Sequence, residues 1–324
     1  MEVQNSLANL IDTAADEAQY DELVKKFLSY RIILAWILKE CVIEFKQYSI
    51  EQIMECIEPA TISVEAVDQD ELDYFEELAD TQVEGMTNED GSKREGRAIY
   101  DIKFSATVPN TEEPVQLIIN IEAQKDDNTT YPLIKRAIYY VGRLISAQKN
   151  KVFTNKHYEK ICKVYSIWIQ MNVSGKKANT ITKYRISEEN LVGNVKEIES
   201  YYDLLTVIMI GLGRPEKALD KPILRLLDVL LSTDTKPDKK KEILQNDYDI
   251  SMTEEMIEEA NAMCNLGEGI REKAVIETTA GIIVNIMQNK KVSFEDAYSS
   301  IFVPEENRED IKAFVEKQMA DYNK

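Results

Sequence analysis

Apolar and polar residues alternate in one stretch of this chain and run almost unbroken in the next. From Arg97 to Val108 every second residue is apolar, which is the period of a strand with one buried face. From Val115 to Gln124 the apolar residues are continuous through the middle, which is typical of a central strand buried on both faces. Pro109 and Pro114 bracket the residues between these two runs. The pattern therefore predicts two strands joined by a short loop.

The rest of the chain up to residue 213 predicts helices mixed with strands. Predicted helices cover Asp21–Tyr48, Ile50–Ile57 and Tyr131–Gln148, and predicted strands cover Thr61–Val67, Ile161–Asn172 and Thr180–Ile186. The segment Tyr201–Leu212 fits either a strand or a buried helix, because periodicity does not separate the two. The strand, helix and strand from Val115 to Asn172 predict a crossover between parallel neighbours.

Beyond residue 214 the apolar spacing is helical throughout. Predicted helices cover Pro222–Ser232, Ser251–Asn265, Glu272–Asn289, Ser293–Ile301 and Glu306–Tyr322, and a charged turn covers Thr233–Lys241. Ser251, with Glu254 three residues later, predicts a capping box. We therefore expect a lead-in at residues 1–19, an α/β domain at 20–213 with a mixed central sheet flanked by helices, and an all-helical accessory region at 214–324. Self-assembly is one role we expect for that region.

Register arithmetic brings two carboxylates together in the predicted hairpin. If Val108 pairs with Val115, paired positions sum to 223, and Asp101 falls opposite Glu122. Opposed residues have Cβ atoms about 4.5–5.5 Å apart, and two such carboxylates repel unless a cation compensates them. Mg²⁺ suits this position, because it binds one or two carboxylates plus water and phosphate oxygens. The alternative is two strand-edge acids that face water, which the apolar residues around Glu122 disfavour.

These residues resemble a known superfamily. Asp101, then Glu122–Gln124, then a helix with Arg136 and Tyr140 are similar to the motif of PD-(D/E)XK nucleases, whose core is restriction-endonuclease-like. The phrases EGRAIYDIKF, LIINIEAQ and IKRAIYYVGRLISAQ resemble its bacterial branch of recombination-promoting nucleases and transposases. One residue departs from the superfamily pattern, since Gln124 stands where Lys is usual. That branch uses Gln there, so the site is not expected to be dead.

The resemblance implies metal-dependent hydrolysis of DNA phosphodiesters. Asp101 and Glu122 would hold Mg²⁺ or Mn²⁺ together with the Ala123 carbonyl, and Gln124 would orient a water or bind the phosphate. Gln124 carries no charge, so we expect weak activity or compensation by a nearby cation such as Lys103 or Arg136. In the superfamily an N-terminal helix often lends an acid, for which Glu22 and Glu44 are candidates, although a solvated helix face is the better explanation for each.

DNA contacts are expected from Lys103 and from one stripe of the long helix. Arg136, Tyr140 and Arg143 lie at i, i+4 and i+7, so they share a stripe beside the buried face. Ion pairs and aromatic packing at the helix edge would explain the same three residues. Two rival functions remain open: a nuclease-fold protein that only binds partners, and a nuclease that acts on RNA.

Charge is unevenly distributed along the chain, whose net charge is −19. Residues Glu51–Thr130 hold 21 acids and 5 bases, whereas Tyr131–Arg185 hold 12 bases and one acid. A basic block beside the proposed carboxylates predicts a track for a phosphate backbone. There is neither a long apolar stretch nor a signal-peptide pattern, so we expect a cytoplasmic protein without membrane partners. The scattered cysteines predict buried free thiols, and His157 predicts a surface side chain.

Overall fold

The computed structural model describes residues 18–58, 89–92, 96–99, 101–108, 115–126, 131–154, 156–213, 221–232, 235–301 and 307–322. Of the strands before residue 101, and of the strand at 115–126 apart from Ala123, the backbone alone is described. The predicted strand Thr61–Val67 lies outside the described residues. Within the described part the chain divides into two compact units: residues 23–232 with 238–256, and a second unit drawn from residues 1–22, 233–237 and 257–324.

The first unit is built on a five-stranded mixed sheet. Its strands are β3 (Ile102–Val108), β4 (Val115–Asp126), β5 (Lys163–Asn172), β6 (Thr180–Arg185) and β7 (Leu205–Gly211), in the order β3-β4-β5-β7-β6. β4, β5 and β7 run parallel, and an antiparallel strand closes each edge. Two short strands, β1 (Glu89–Ser92) and β2 (Gly96–Ile99), form a separate hairpin. The mixed sheet and the parallel crossover confirm the predicted fold class. Within the ambiguous segment Tyr201–Leu212, the residues Leu205–Gly211 form a strand.

The predicted register of β3 and β4 is confirmed. Val108 pairs with Val115, and the ladder continues without a bulge to Ile102 opposite Ile121. The prediction of one unbroken strand from Arg97 was wrong, because β2 ends at Ile99 and β3 begins at Ile102. Asp101 lies at this break, and its side chain accepts a hydrogen bond from the Ala123 amide of β4.

Helices precede the sheet in the chain and contribute to its core. α1 covers residues 18–29, α2 Arg31–Cys41 and α3 Ile50–Cys56, with a 3₁₀ turn at Ile43–Phe45. The single predicted helix Asp21–Tyr48 is therefore wrong. The chain breaks at Tyr30, whose backbone is extended and whose buried ring packs on Phe27. No glycine or proline marks this break, so side-chain packing has overridden helix propensity there.

Helix α4 (Leu133–Ser146) joins β4 to β5 and covers one face of the sheet. Its buried stripe packs on alternate residues of β5 and β7, and this core comprises Leu133, Ala137, Val141, Leu144, Val164, Trp168 and Val207. The buried Gln148 side chain both donates to the Cys162 carbonyl and accepts from the Cys162 amide, at 2.9 and 2.7 Å. These bonds fix the return of the chain into β5.

One of the remaining helices precedes β7, and the others follow it. They are α5 (Glu199–Tyr202, before β7), α6 (Pro222–Leu231), α7 (Pro237–Tyr248), α8 (Glu254–Lys290), α9 (Phe294–Ser299) and α10 (Arg308–Tyr322). The charged turn predicted at Thr233–Lys241 is wrong in its second half, because α7 begins at Pro237 with proline in the first helical turn. Two predicted helices are one, α8, which continues through Gly269.

Capping explains where two of these helices begin. At α8 the predicted Ser251 cap is wrong, because the Thr253 hydroxyl accepts the Met256 amide at 3.2 Å. At α9, Ser293 and Asp296 form a capping box, and the helix begins next to the predicted start at Ser293. The second unit has its own apolar core, made by α8, α9 and α10 with Ala280, Ile283, Ala297, Tyr298, Ile311 and Val315. The predicted helical C-terminal region is thereby confirmed.

Candidate active site

Asp101 is held by two specific contacts at the start of β3. Its Oδ2 accepts a hydrogen bond from the Ala123 backbone amide at 3.0 Å, and its Oδ1 lies 3.2 Å from the Lys25 ammonium. The Asp101 side chain is 17% exposed and that of Lys25 14% exposed. A carboxylate that accepts both a backbone amide and an ammonium is fixed in its ionised form and in orientation. The first acid of the predicted site therefore lies directly against the backbone of the second motif.

The second motif, Glu122–Gln124, lies in the last third of β4. Extending the β3–β4 register by one residue places Glu122 opposite Asp101, and on the other edge Glu122 pairs with Trp168 of β5. Gln124 pairs with Gln170 in the same ladder. The side chains of Glu122 and Gln124 lie outside the described residues. The structure thus brings Asp101 to Ala123, and the joint coordination by both carboxylates stays a prediction.

Arg136 and Tyr140 lie on α4 next to this end of β5. The Arg136 guanidinium donates to the Tyr140 hydroxyl at 3.0 Å, and its carbon lies 5.0 Å from the Tyr140 ring centre and 5.4 Å from that of Trp168. Tyr140 and Trp168 pack with ring centres 5.6 Å apart. Arg136 is therefore stacked over the residue that pairs with Glu122, which places a half-buried cation beside the second motif.

The other two predicted DNA contacts are buried. Lys103 is 7% exposed and Arg143 5% exposed. The Arg143 guanidinium donates to the Tyr139 hydroxyl at 3.3 Å on the same helix. Buried cations of this kind act inside the protein, because a phosphate backbone reaches only what the surface presents. Packing at the helix edge was the alternative to DNA contacts for this stripe of α4. For Arg143, that packing explains the observed position better than a DNA contact does.

Neither acid considered from the N-terminal helices contacts Asp101 in the described structure. Glu44 accepts from the Lys163 ammonium at 3.0 Å and from the Tyr165 hydroxyl at 2.6 Å. Lys163 also donates to Asp203 at 2.6 Å. These groups lie at the start of β5, the end of the sheet away from Ala123, and burial together with Glu44 raises the pKa of Tyr165. Glu22 is exposed on α1.

The predicted minor features have mixed outcomes. All four cysteines are free, but only Cys264 is buried, and Cys41, Cys56 and Cys162 are half-buried. Burial raises the pKa of the Cys41 thiol to about 12, so it is a poor nucleophile at neutral pH. His157 is exposed, as predicted, and its Nδ1 lies 2.9 Å from Glu159.

The donor set at Asp101 fits a hard divalent cation. Mg²⁺ and Mn²⁺ prefer oxygen ligands, and Mg²⁺ needs only one or two carboxylates because water and phosphate complete its shell. Asp101 offers a fixed carboxylate beside the Ala123 backbone, with Glu122 next in the ladder. Among the described side chains no group of three His, Cys, Asp or Glu residues is placed to hold a metal ion. A carboxylate beside a backbone carbonyl suits a metal that completes its shell with water and a substrate phosphate.

Lys25 is the site residue that the sequence did not indicate. It comes from α1, far from Asp101 along the chain, and it belongs to no motif of the hairpin. Its position on α1 beside the buried residues Val24, Phe27 and Leu28 is typical of any amphipathic helix. Only the packing of α1 brings its ammonium to Asp101, so no pattern within the sequence could have singled it out.

Two features of this structure define the class of PD-(D/E)XK nuclease-like α/β proteins. The mixed sheet carries α4 on one face, and an acid beside one strand of the hairpin is bonded to the motif on the second strand. The model of the PD-(D/E)XK nuclease family transposases matches residues 76–291, about two thirds of the chain, and the protein belongs to that family. Neither the curated proteins nor the solved structures include a match. Family membership supports a nuclease-like or transposase-like function.

The family match extends well past β7. It includes α6, α7 and all of α8, so these helices are part of what the family shares. In the described part of the chain, none of the helices combines the length and the apolar character needed to span a membrane.

Proposed function

We propose that this protein is a metal-dependent DNA endonuclease that hydrolyses phosphodiester bonds. The observation that carries the proposal is the hydrogen bond from the Ala123 amide to Asp101, at 3.0 Å. It joins the two halves of the family motif at one point and orients the Asp101 carboxylate there.

The residues of the site have separable roles in this proposal. Asp101 and Glu122, with the Ala123 carbonyl, would hold Mg²⁺ or Mn²⁺, which polarises the phosphoryl oxygen and acidifies the attacking water. The Ala123 amide keeps Asp101 aimed at the site, and Gln124 orients the water by hydrogen bonding. Water oxygen bonds to phosphorus, the bond to the leaving oxygen breaks, and that oxygen takes up a proton.

Substrate binding in the proposal rests on Arg136 and on exposed lysines at the same end of the sheet. Arg136 is oriented by Tyr140 and Trp168, so its guanidinium is preorganised for a phosphate oxygen. Lys176 and Lys177 follow β5 at the end where Ala123 lies, and both are exposed. Contacts of this kind bind the backbone without reading the sequence, which fits a nuclease of low sequence preference.

The direct test is cleavage of supercoiled plasmid with Mg²⁺ or Mn²⁺ by the wild type and by Asp101→Asn. The asparagine keeps an acceptor for the Ala123 amide but loses the charge that holds the metal. We expect the variant to lose at least about 100-fold in rate with an unchanged unfolding transition.

Two controls give the rival functions their own outcomes. Cleavage of an RNA of the same sequence in preference to DNA would make the protein a ribonuclease. DNA binding without cleavage by the wild type, in either metal, would leave a nuclease-fold protein that acts through its partners. Equal cleavage by the wild type and Asp101→Asn would remove Asp101 from the reaction.

A further inference from the structure

The ion pair between Lys25 and Asp101 is more than a surface contact. The two charged atoms are 3.2 Å apart, and both side chains are largely shielded from water. Coulomb attraction grows as the local dielectric falls, so this pair is stronger than one between fully solvated side chains. The Asp101 oxygen that faces Lys25 is Oδ1, whereas Oδ2 faces the Ala123 amide. Lys25 therefore occupies the side of the carboxylate that the backbone leaves open.

Lys25 is also held within reach of this position. On α1 the neighbouring residues Val24, Phe27 and Leu28 are all at most 1% exposed, so the helix backbone is anchored in the core. The lysine side chain, in contrast, is a flexible chain of four methylene groups, and a change of rotamer can shift its ammonium by several ångströms without moving the helix. The ammonium is thus held beside Asp101 by a side chain that can change its rotamer.

The site has a use for such a cation. Gln124 stands at the position where the superfamily pattern has lysine, and an amide cannot offset the negative charge that develops on a phosphate in hydrolysis. Of the two cations expected to compensate, Lys103 is buried, and Arg136 is oriented by Tyr140 to bind the DNA backbone. Lys25 is already in contact with the carboxylate that the substrate phosphate would approach.

We propose that Lys25 supplies the positive charge that Gln124 lacks, and that it serves as the counter-ion of Asp101 until a divalent cation binds there. This inference rests on the proposed function. An ammonium and a divalent cation repel each other at one carboxylate oxygen, so the Lys25 ammonium leaves Oδ1 when the metal binds. From its anchored position on α1 it then contacts the scissile phosphate. The Lys25 side chain thus has two positions: it pairs with Asp101 before the metal binds, and it contacts the phosphate afterwards.

The proposal predicts opposite effects of one substitution on two measurements. In Lys25→Met the competing ammonium is gone, so Mn²⁺ titrated calorimetrically without DNA should bind about tenfold more tightly. Plasmid cleavage by the same variant at saturating Mn²⁺ should fall about 100-fold, because the charge at the phosphate is lost. A residue that only stabilised the fold could not tighten metal binding and slow cleavage together.

Lys26→Met is the matched control. It removes the same charge from the adjacent position of α1, where the lysine pairs with Glu255 at 3.3 Å and does not belong to the site. Its Mn²⁺ affinity and cleavage rate should equal those of the wild type. Lys25→Gln provides a second neutral variant, and its unfolding transition shows whether the position tolerates the loss of charge.

The outcomes divide clearly. Weaker or unchanged Mn²⁺ binding in both neutral variants of Lys25 would overturn the counter-ion role, and wild-type cleavage by them would overturn the charge supply. If the wild type itself did not cleave, the proposed function and the charge supply would fail together. Tighter Mn²⁺ binding by Lys25→Met in that case would still establish the competition at Asp101, so the two failures are distinguishable.

Discussion

At the scale of single residues, Asp228 on α6 is a buried carboxylate for which the described residues provide no ionic partner. It is 5% exposed, and its Oδ2 has no hydrogen-bond partner within the described structure. Burial raises the pKa of Asp228 to about 7, and a hydrogen bond with the Gly213 backbone only partly opposes this shift. Near neutral pH the group therefore changes charge inside the protein, which makes stability depend on pH.

The sign of this dependence follows from the two protonation states. Between the unfolded pKa of 3.8 and the folded pKa of about 7, the folded protein holds a proton that the unfolded chain has released. Stability should therefore fall as pH rises through this window and level off above it. Asp228→Asn should abolish this fall. The free energy of unfolding of the variant, taken relative to that of the wild type, should therefore be about 2 kcal/mol higher at pH 8 than at pH 5.

Urea unfolding of both proteins at several pH values measures the effect. Asp238→Asn, an exposed acid at the start of α7, is a suitable control and should leave the pH profile of the wild type unchanged. A parallel pH profile for Asp228→Asn and the wild type would show that Asp228 is ionised in the folded protein at all these pH values.

At the scale of elements, α6 and α7 are joined by a buried lysine. Lys240 is 1% exposed, and its ammonium donates to the Leu230 carbonyl at 3.0 Å, in the last turn of α6. Carbonyl groups at a helix C-terminus lack intrahelical partners and carry partial negative charge, so a cation there is favourable. The bond fixes the short connection between the two helices.

Lys240→Met keeps the length and apolar character of the side chain but leaves the Leu230 carbonyl without this donor. We expect a loss of about 1–2 kcal/mol in the free energy of unfolding. Lys241→Met, which changes an exposed neighbour, should cost less than about 0.5 kcal/mol. Chemical denaturation monitored by circular dichroism distinguishes the two. Equal stability of both variants would mean that water replaces the lysine at the helix end.

The same scale shows what the sequence could and could not predict. The register of β3 and β4 was predictable, because a short loop between two prolines and a two-residue period leave few alternatives. The break at Tyr30 was not, because no glycine or proline in the sequence marks it. Lys25 was missed for a different reason: it meets Asp101 only in the folded protein, and contacts between distant segments leave no local pattern. The continuous α8 escaped prediction because its apolar residues do not keep to one stripe.

At the scale of the whole molecule, the basic block of Tyr131–Arg185 is divided between two ends of the sheet. Lys176 and Lys177 follow β5, at the end where Ala123 lies. Lys149 and Lys151 follow α4, at the end where β5 begins, and all four lysines are exposed. Lys163 and Arg185 are paired with Asp203 and Glu199. The block is therefore not one continuous track.

This division gives the last prediction a matched pair of variants. The net charge of −19 repels DNA at long range, but at physiological salt screening limits such effects to about 8 Å, so local charge decides binding. Reversal of Lys176 and Lys177 to Glu should weaken DNA binding about tenfold or more, whatever the sequence. The same reversal of Lys149 and Lys151 changes the net charge equally and should weaken binding less than about threefold.

Titration of duplex DNA across a range of salt, with Ca²⁺ in place of Mg²⁺ to suppress cleavage, measures both variants. About three phosphate contacts at the site end, from Arg136, Lys176 and Lys177, predict a slope near −3 for log affinity against log salt. Lys176→Glu with Lys177→Glu should reduce that slope to about −1, and the variant of the opposite end should keep it. Equal losses in both variants would mean that DNA responds to total charge rather than to a surface beside Asp101, and the binding site would then have to be sought elsewhere on the protein.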